Sequence, residues 1–181
     1  MSGIDKQIVK GEDYSLSTND ILRITDNKCK VIAYEELEHI SSIDELLEPH
    51  GAAIILYENS DDGLYGHWTA LFKTDQGTLE FFDPYAIKLD GELNLNNDFN
   101  FRVHNGVEVA HLSHLISQSE YKVKSNKVQL QEVKKHVNTC GRWTALRIRF
   151  RDVSIRRFID LMTKNEAYKP DFWVTALTLL V

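Results

Sequence analysis

Asn138-Thr139-Cys140-Gly141-Arg142-Trp143 joins a polar loop to a long run with helix-forming character. A cysteine in the first turn of a helix faces the positive end of the aligned peptide dipoles, which favours thiolate over thiol. Gly141 removes a side chain beside the sulfur, so an extended backbone has room to approach. A buried structural cysteine in a helix is the alternative reading. The residues upstream of this stretch weigh against it.

Three further side chains complete a recognisable chemistry. Attack by a cysteine on an amide needs a base to take and return its proton. It also needs a group to hold that base and donors aimed at the developing oxyanion. Two apolar segments, His67 to Lys73 and Thr78 to Asp83, flank Thr74-Asp75-Gln76-Gly77, a good turn sequence. A pairing symmetric about Asp75 and Gln76 brings His67 opposite or diagonal to Asp83, with cross-strand Cβ atoms ~5 Å apart. Pro84 ends the second strand and leaves Asp83 at its terminus. Cys140 then serves as nucleophile, His67 as base and acid, and Asp83 as the group that fixes the imidazole tautomer. The Gln131 side chain and the Cys140 backbone N–H form an oxyanion hole. Each has an ordinary rival role: a strand-end histidine, a turn-forming aspartate, a surface glutamine. Gln129 competes with Gln131, and His136 is nearer to Cys140 in sequence than His67 is, within a charged, loop-like segment.

The rest of the chain reads as scaffold. Residues 1–16 look like a loosely attached arm. Ser17 with Asp20 resembles a capping pair, so a short helix starts there. Cys29 lies in a polar loop without special neighbours. Val31 to Tyr34 is extended, and Ser42 caps a second short helix stopped by Pro49. Ala52-Ala53-Ile54-Ile55-Leu56-Tyr57 is a continuous apolar run, the pattern of a buried strand. Tyr85 to Gly106 is a polar connection, and a short helix spans Val109 to Ile116. His111 and His114 within it are three residues apart, but no Cys or HExxH pattern completes a metal site. Tyr121 to Asn126 alternates like a strand. Helices follow from Cys140 to about Phe150, from Ser154 through Met162, and from Phe172 to Leu180.

The chain has 181 residues, of which 43% are hydrophobic and 27% charged, enough for one domain with its own core over 1–181. No apolar run approaches the ~20 residues that cross a bilayer. The N-terminus carries no signal-peptide core, and two cysteines make no disulfide framework. Both features fit a free thiol in a reducing compartment. The net charge is −6, yet Tyr121 to Arg157 holds eleven Lys or Arg against Glu132 and Asp152, a local +9 against −15 elsewhere. Such a segment is either a polyanion-binding face or a solvated helix surface.

Taken together, Gly66-His67-Trp68, Phe82-Asp83-Pro84, Leu130-Gln131 and Thr139-Cys140-Gly141 follow one another in an order that resembles the adenovirus-type maturation proteases (adenain) and the related SUMO-specific proteases. The likeness runs from about Ala52 to Phe150, and more faintly to the C-terminus. Asp83 is nearer the SUMO-protease pattern than the glutamate of adenain, and the loop between Gln131 and Cys140 is longer and more basic than is usual in the adenain group. The wording around Cys140 looks most like proteases of large DNA viruses, virophages and Polinton-type elements.

The resemblance implies an α+β, papain-like fold in permuted order, with helices flanking a mixed central sheet. That sheet carries His67 and Asp83, and a helix carries Cys140 at its N-terminus. Trp68 and Gly141 are the implied substrate contacts. The implied activity is a cysteine endopeptidase that trims viral capsid or core precursors in the virion or the infected cell, with no cofactor required and no membrane. Activation by a separate peptide or by DNA stays open, with weak nucleic-acid binding through residues 121–157. The same side chains also suit a ubiquitin- or SUMO-type isopeptidase or an acyltransferase. An inactive binding module would have little reason to keep His67, Asp83 and Cys140 together.

Overall fold

The computed structural model describes residues 2–58, 66–91, 110–164 and 167–181. Strand β2 (Ala52–Glu58) is the apolar run noted above, and its first four residues are fully buried. A strand is apolar on both sides when both sides are covered. Ala52 and Ile54 belong to one core, Ala53, Ile55 and Tyr57 to the other. β1 (Lys30–Ala33) pairs parallel to β2, and β3 (Gly66–Lys73) pairs antiparallel on its other side. β4 (Leu79–Phe82) is antiparallel to β3, and β5 (Val123–Ser125) is parallel to β4. The order β1-β2-β3-β4-β5 makes a mixed five-stranded sheet.

Helices cover both faces. On one side lie α2 (Thr18–Ile24), α5 (Cys140–Arg149), α6 (Ile155–Thr163) and α7 (Pro170–Leu179), around Trp68, Ala70, Phe72, Phe82 and Trp143. On the other lie α3 (Ile43–Leu47), a 3₁₀ turn (Tyr34–His39) and α4 (His111–Ser117), around Leu71, Leu79 and Phe81. Ser17 and Asp20 form the expected reciprocal cap of α2, and Ser42 and Ser154 cap α3 and α6. Among the described residues, no helix is long and apolar enough to cross a membrane.

Helix α5 is buried on every side, from Cys140 to Ile148. Arg142 and Arg147 are therefore core residues and not part of a solvated basic face. Arg147 makes a two-pronged pair with Glu80 of β4 (2.7 and 2.9 Å) and lies over the rings of Phe72 and Phe158. Arg142 donates to the Gly11 carbonyl and to Thr178 Oγ1. Burial of these guanidiniums is tolerable because their N–H groups find carbonyl, hydroxyl and carboxylate acceptors. The basic segment thus divides between internal ties and exposed lysines.

Two expectations from the sequence are corrected. Residues 2–16 are not a loose arm. Helix α1 (Gly3–Asp13), capped by Ser2 and Asp5, packs against α7, and Leu16 is buried in the core. Its polar composition hid it, because only Ile8 and Gly11 face inward. Nor is Cys29, in its loop, without neighbours. It is 3% exposed, and its sulfur lies 3.3 Å from Thr25 Oγ1. Residues 92–106 of the polar connection, with His104 among them, lie outside the described residues.

Candidate active site

The β3–β4 ladder pairs Lys73 with Leu79 and ends at Ala70 and Phe82. Its centre is Gln76, half a residue beyond the expected symmetry point. The turn closes by a Thr74 N–H bond to the Thr78 carbonyl, with Gly77 at φ +69°, a conformation that favours glycine. Continuing this register sets Thr69 against Asp83 and His67 against Tyr85, so His67 is the diagonal neighbour of Asp83. Of the two arrangements open from sequence, the diagonal one is found.

His67 Nε2 donates to Asp83 Oδ2 at 3.0 Å, and the imidazole also hydrogen-bonds Cys140. The nucleophile candidate at the start of α5 and the base candidate at the start of β3 are thus in contact, although 73 positions separate them in the chain. His67 is 4% exposed and Asp83 fully buried. Burial alone would disfavour a charged imidazole. The hydrogen bonds to Asp83 and Cys140 and the negative charge of both partners outweigh it, and the His67 pKa rises to about 10.

Asp83 is itself held. Its Oδ1 accepts from the Tyr85 N–H at 2.6 Å. The Asn126 side chain brackets its backbone, accepting from Asp83 N–H (2.9 Å) and donating to Asp83 O (2.6 Å), as a paired strand would. The Tyr85 ring stacks on the His67 ring, with centroids 5.0 Å apart. Tyr85 and Asn126 were not found from sequence. The register, once known, would have put Tyr85 opposite His67; Asn126 gave no signal because its work is to mimic a strand edge beyond the end of β5.

Gln131 is buried, and its Nε2 donates to the Val137 carbonyl at 3.0 Å. That bond orients the amide and leaves one Nε2 hydrogen for another acceptor. The Leu130 and Gln131 N–H groups both donate to the Pro84 carbonyl, so the glutamine is tethered to the residue that follows Asp83. Gln129 instead donates to the Gln131 carbonyl (2.8 Å) and is exposed. His136 is exposed, with Nδ1 3.1 Å from Asp13 Oδ2, and pairs there instead of with Cys140.

Trp68 and Gly141 sit differently from a simple substrate surface. A Cβ on Gly141 would lie 3.2 Å from both Leu16 Cβ and Trp68 Cδ1. The missing side chain makes room for the protein's own Leu16 and Trp68, not for a ligand, and Trp68 is a core residue. His111 sits beside the Tyr34 ring and His114 beside the Gln118 amide. Among the described residues no group of three or more His, Cys, Asp or Glu is arranged to hold a metal ion.

A mixed sheet packed on a buried helix, with cysteine, histidine and aspartate in one hydrogen-bonded chain, describes the class of molecule. The chain is 31% identical over 177 residues to protein V9 of Sputnik virophage, spanning 96% of this chain and 99% of that protein, and it belongs to the same family. No protein-family profile matches it. Among solved structures, it is similar to a SUMO protease, Ulp1, with its catalytic cysteine oxidised to a sulfinic acid. That superposition has a TM-score of 0.38 and 10% identity, over 99% of this chain and 95% of the other. A second similar structure is the central domain of Lpg1148 from Legionella pneumophila, with a TM-score of 0.34 and 16% identity over 90% and 85% of the two chains.

Proposed function

We propose that the protein is a cysteine endopeptidase of papain-like fold in permuted order, which cleaves viral capsid or core precursors during virion maturation. The observation that carries this reading is the buried imidazole of His67, bonded to the Asp83 carboxylate and to Cys140. In the proposed reaction His67 already holds the proton given up by Cys140, and the Cys140 sulfur attacks the scissile carbonyl as a thiolate. Asp83 holds the ring through Nε2 and stabilises the imidazolium. The oxyanion is met by the Cys140 backbone N–H and the remaining Nε2 hydrogen of Gln131. His67 returns its proton to the leaving amine, the C–N bond breaks, and an acyl-enzyme remains. Water, deprotonated by His67, then hydrolyses the thioester and frees Cys140.

A virophage relative of nearly the same length supports a viral substrate. The protein would act in the virion or the infected cell. Any nucleic-acid contact would run through exposed lysines such as Lys122, Lys127, Lys134 and Lys135, because Arg142 and Arg147 are buried. The test is co-expression of candidate virion precursors with wild type and with Cys140→Ala, followed by mass spectrometry of new termini. New termini only with wild type support the reading, and identical termini with both contradict it. Cleavage confined to di-ubiquitin or a SUMO fusion would instead favour an isopeptidase.

A further inference from the structure

The two oxyanion donors of the proposed reaction sit on different pieces of chain. One is the Cys140 backbone N–H at the start of α5; the other is the Gln131 side chain before a loop, residues 132–138, that is exposed as far as His136. Their spacing must be held to a fraction of an ångström for the donors to meet one oxygen. A single buried carboxylate ties the two pieces together. Asp171, in the first turn of α7 and 4% exposed, accepts from the Glu132 N–H through Oδ2 (2.8 Å). Its Oδ1 accepts from Thr139 Oγ1 (2.5 Å) and Trp143 Nε1 (2.9 Å). Glu132 follows Gln131, and Thr139 precedes Cys140. The sequence presents Asp171 as an ordinary acid at a helix start; its position explains neither its burial nor its three donors.

We infer that Asp171 is a positioning residue that sets the distance between the Gln131 amide and the Cys140 N–H; this rests on the peptidase reading. An acceptor with two oxygens is required, because donors arrive on both sides. Asparagine offers one oxygen and turns an N–H₂ group towards a donor on the other side. Burying a carboxyl here is tolerable because every donor contact is made.

The experiment compares wild type, Asp171→Asn and Thr139→Val on a precursor cleaved by the wild type. Three quantities are read: kcat and KM for cleavage, the rate of Cys140 alkylation by iodoacetamide, and the thermal midpoint. Alkylation needs the sulfur and His67 but no oxyanion hole. The expected result for Asp171→Asn is a fall in kcat on the order of a hundredfold with KM nearly unchanged. Its alkylation rate stays near wild type. Thr139→Val, which keeps the shape and removes one donor, shows the same pattern more weakly. Wild-type kcat in folded Asp171→Asn overturns the inference. So does a parallel loss of kcat and alkylation, which marks general damage. If Asp171→Asn does not fold, Thr139→Val decides by the same criteria. A wild type without Cys140-dependent cleavage removes the peptidase reading itself, and this inference with it.

Discussion

At the scale of single residues, His67 is the most constrained group. In the unfolded chain it titrates near 6.5, and in the folded chain the pKa is raised to about 10. The folded state therefore binds the His67 proton more tightly. The stabilisation is fully present below about pH 6.5 and is lost as the pH rises through about 10. Urea unfolding of wild type from pH 7 to pH 10 is expected to show falling stability, and Asp83→Asn is expected to flatten that slope. Equal slopes would deny the coupling between the two groups. Gly141 gives a second prediction. A methyl group there meets Leu16 and Trp68 at 3.2 Å, so Gly141→Ala is expected to destabilise by about 1–3 kcal/mol in urea titrations. The grouping of Cys140, His67 and Asp83 was legible in the sequence because their types and order suit one chemistry and the hairpin brings two of them together. The reason for Gly141 was not, because Leu16 reaches it from a segment with no sequence signal for docking.

At the scale of elements, a continuous apolar run marked β2, a turn sequence between apolar segments marked the β3–β4 hairpin, helix-forming runs marked α5 and α6, and Ser17 and Ser42 marked two helix starts. What failed was the environment of polar and charged residues. Helix α1 buries only Ile8 and Gly11, so its pattern resembles a solvated arm, yet its end accepts Arg142 and the Asn138 N–H. Arg147 reads as surface charge, yet it joins α5 to β4 through Glu80. Charge alone does not reveal whether a partner waits inside. Glu80→Ala leaves the Arg147 guanidinium buried without its carboxylate and is expected to cost about 3–5 kcal/mol. Chemical denaturation checks this, and a loss within experimental error would mean that the Phe150 and Val153 carbonyls suffice for Arg147.

Across the whole molecule, the site is assembled from distant parts of the chain. β3 supplies His67, the end of β4 supplies Asp83, α5 supplies Cys140, and the loop after β5 supplies Gln131. Helices α1 and α7, from the two ends of the described chain, meet and grip α5 through Arg142. Sequence order alone could propose this assembly by resemblance, but the contact between imidazole and sulfur depends on how the sheet packs against α5. That contact is tested most directly by the rate at which iodoacetamide modifies each cysteine, measured by peptide mapping near neutral pH in wild type and in His67→Ala. Burial raises the Cys29 pKa and keeps that thiol slow, which makes it an internal reference. The expected result is that Cys140 reacts much faster than Cys29 in wild type and loses most of that advantage in His67→Ala. Equal rates for the two cysteines in wild type, or no effect of His67→Ala, would contradict the account.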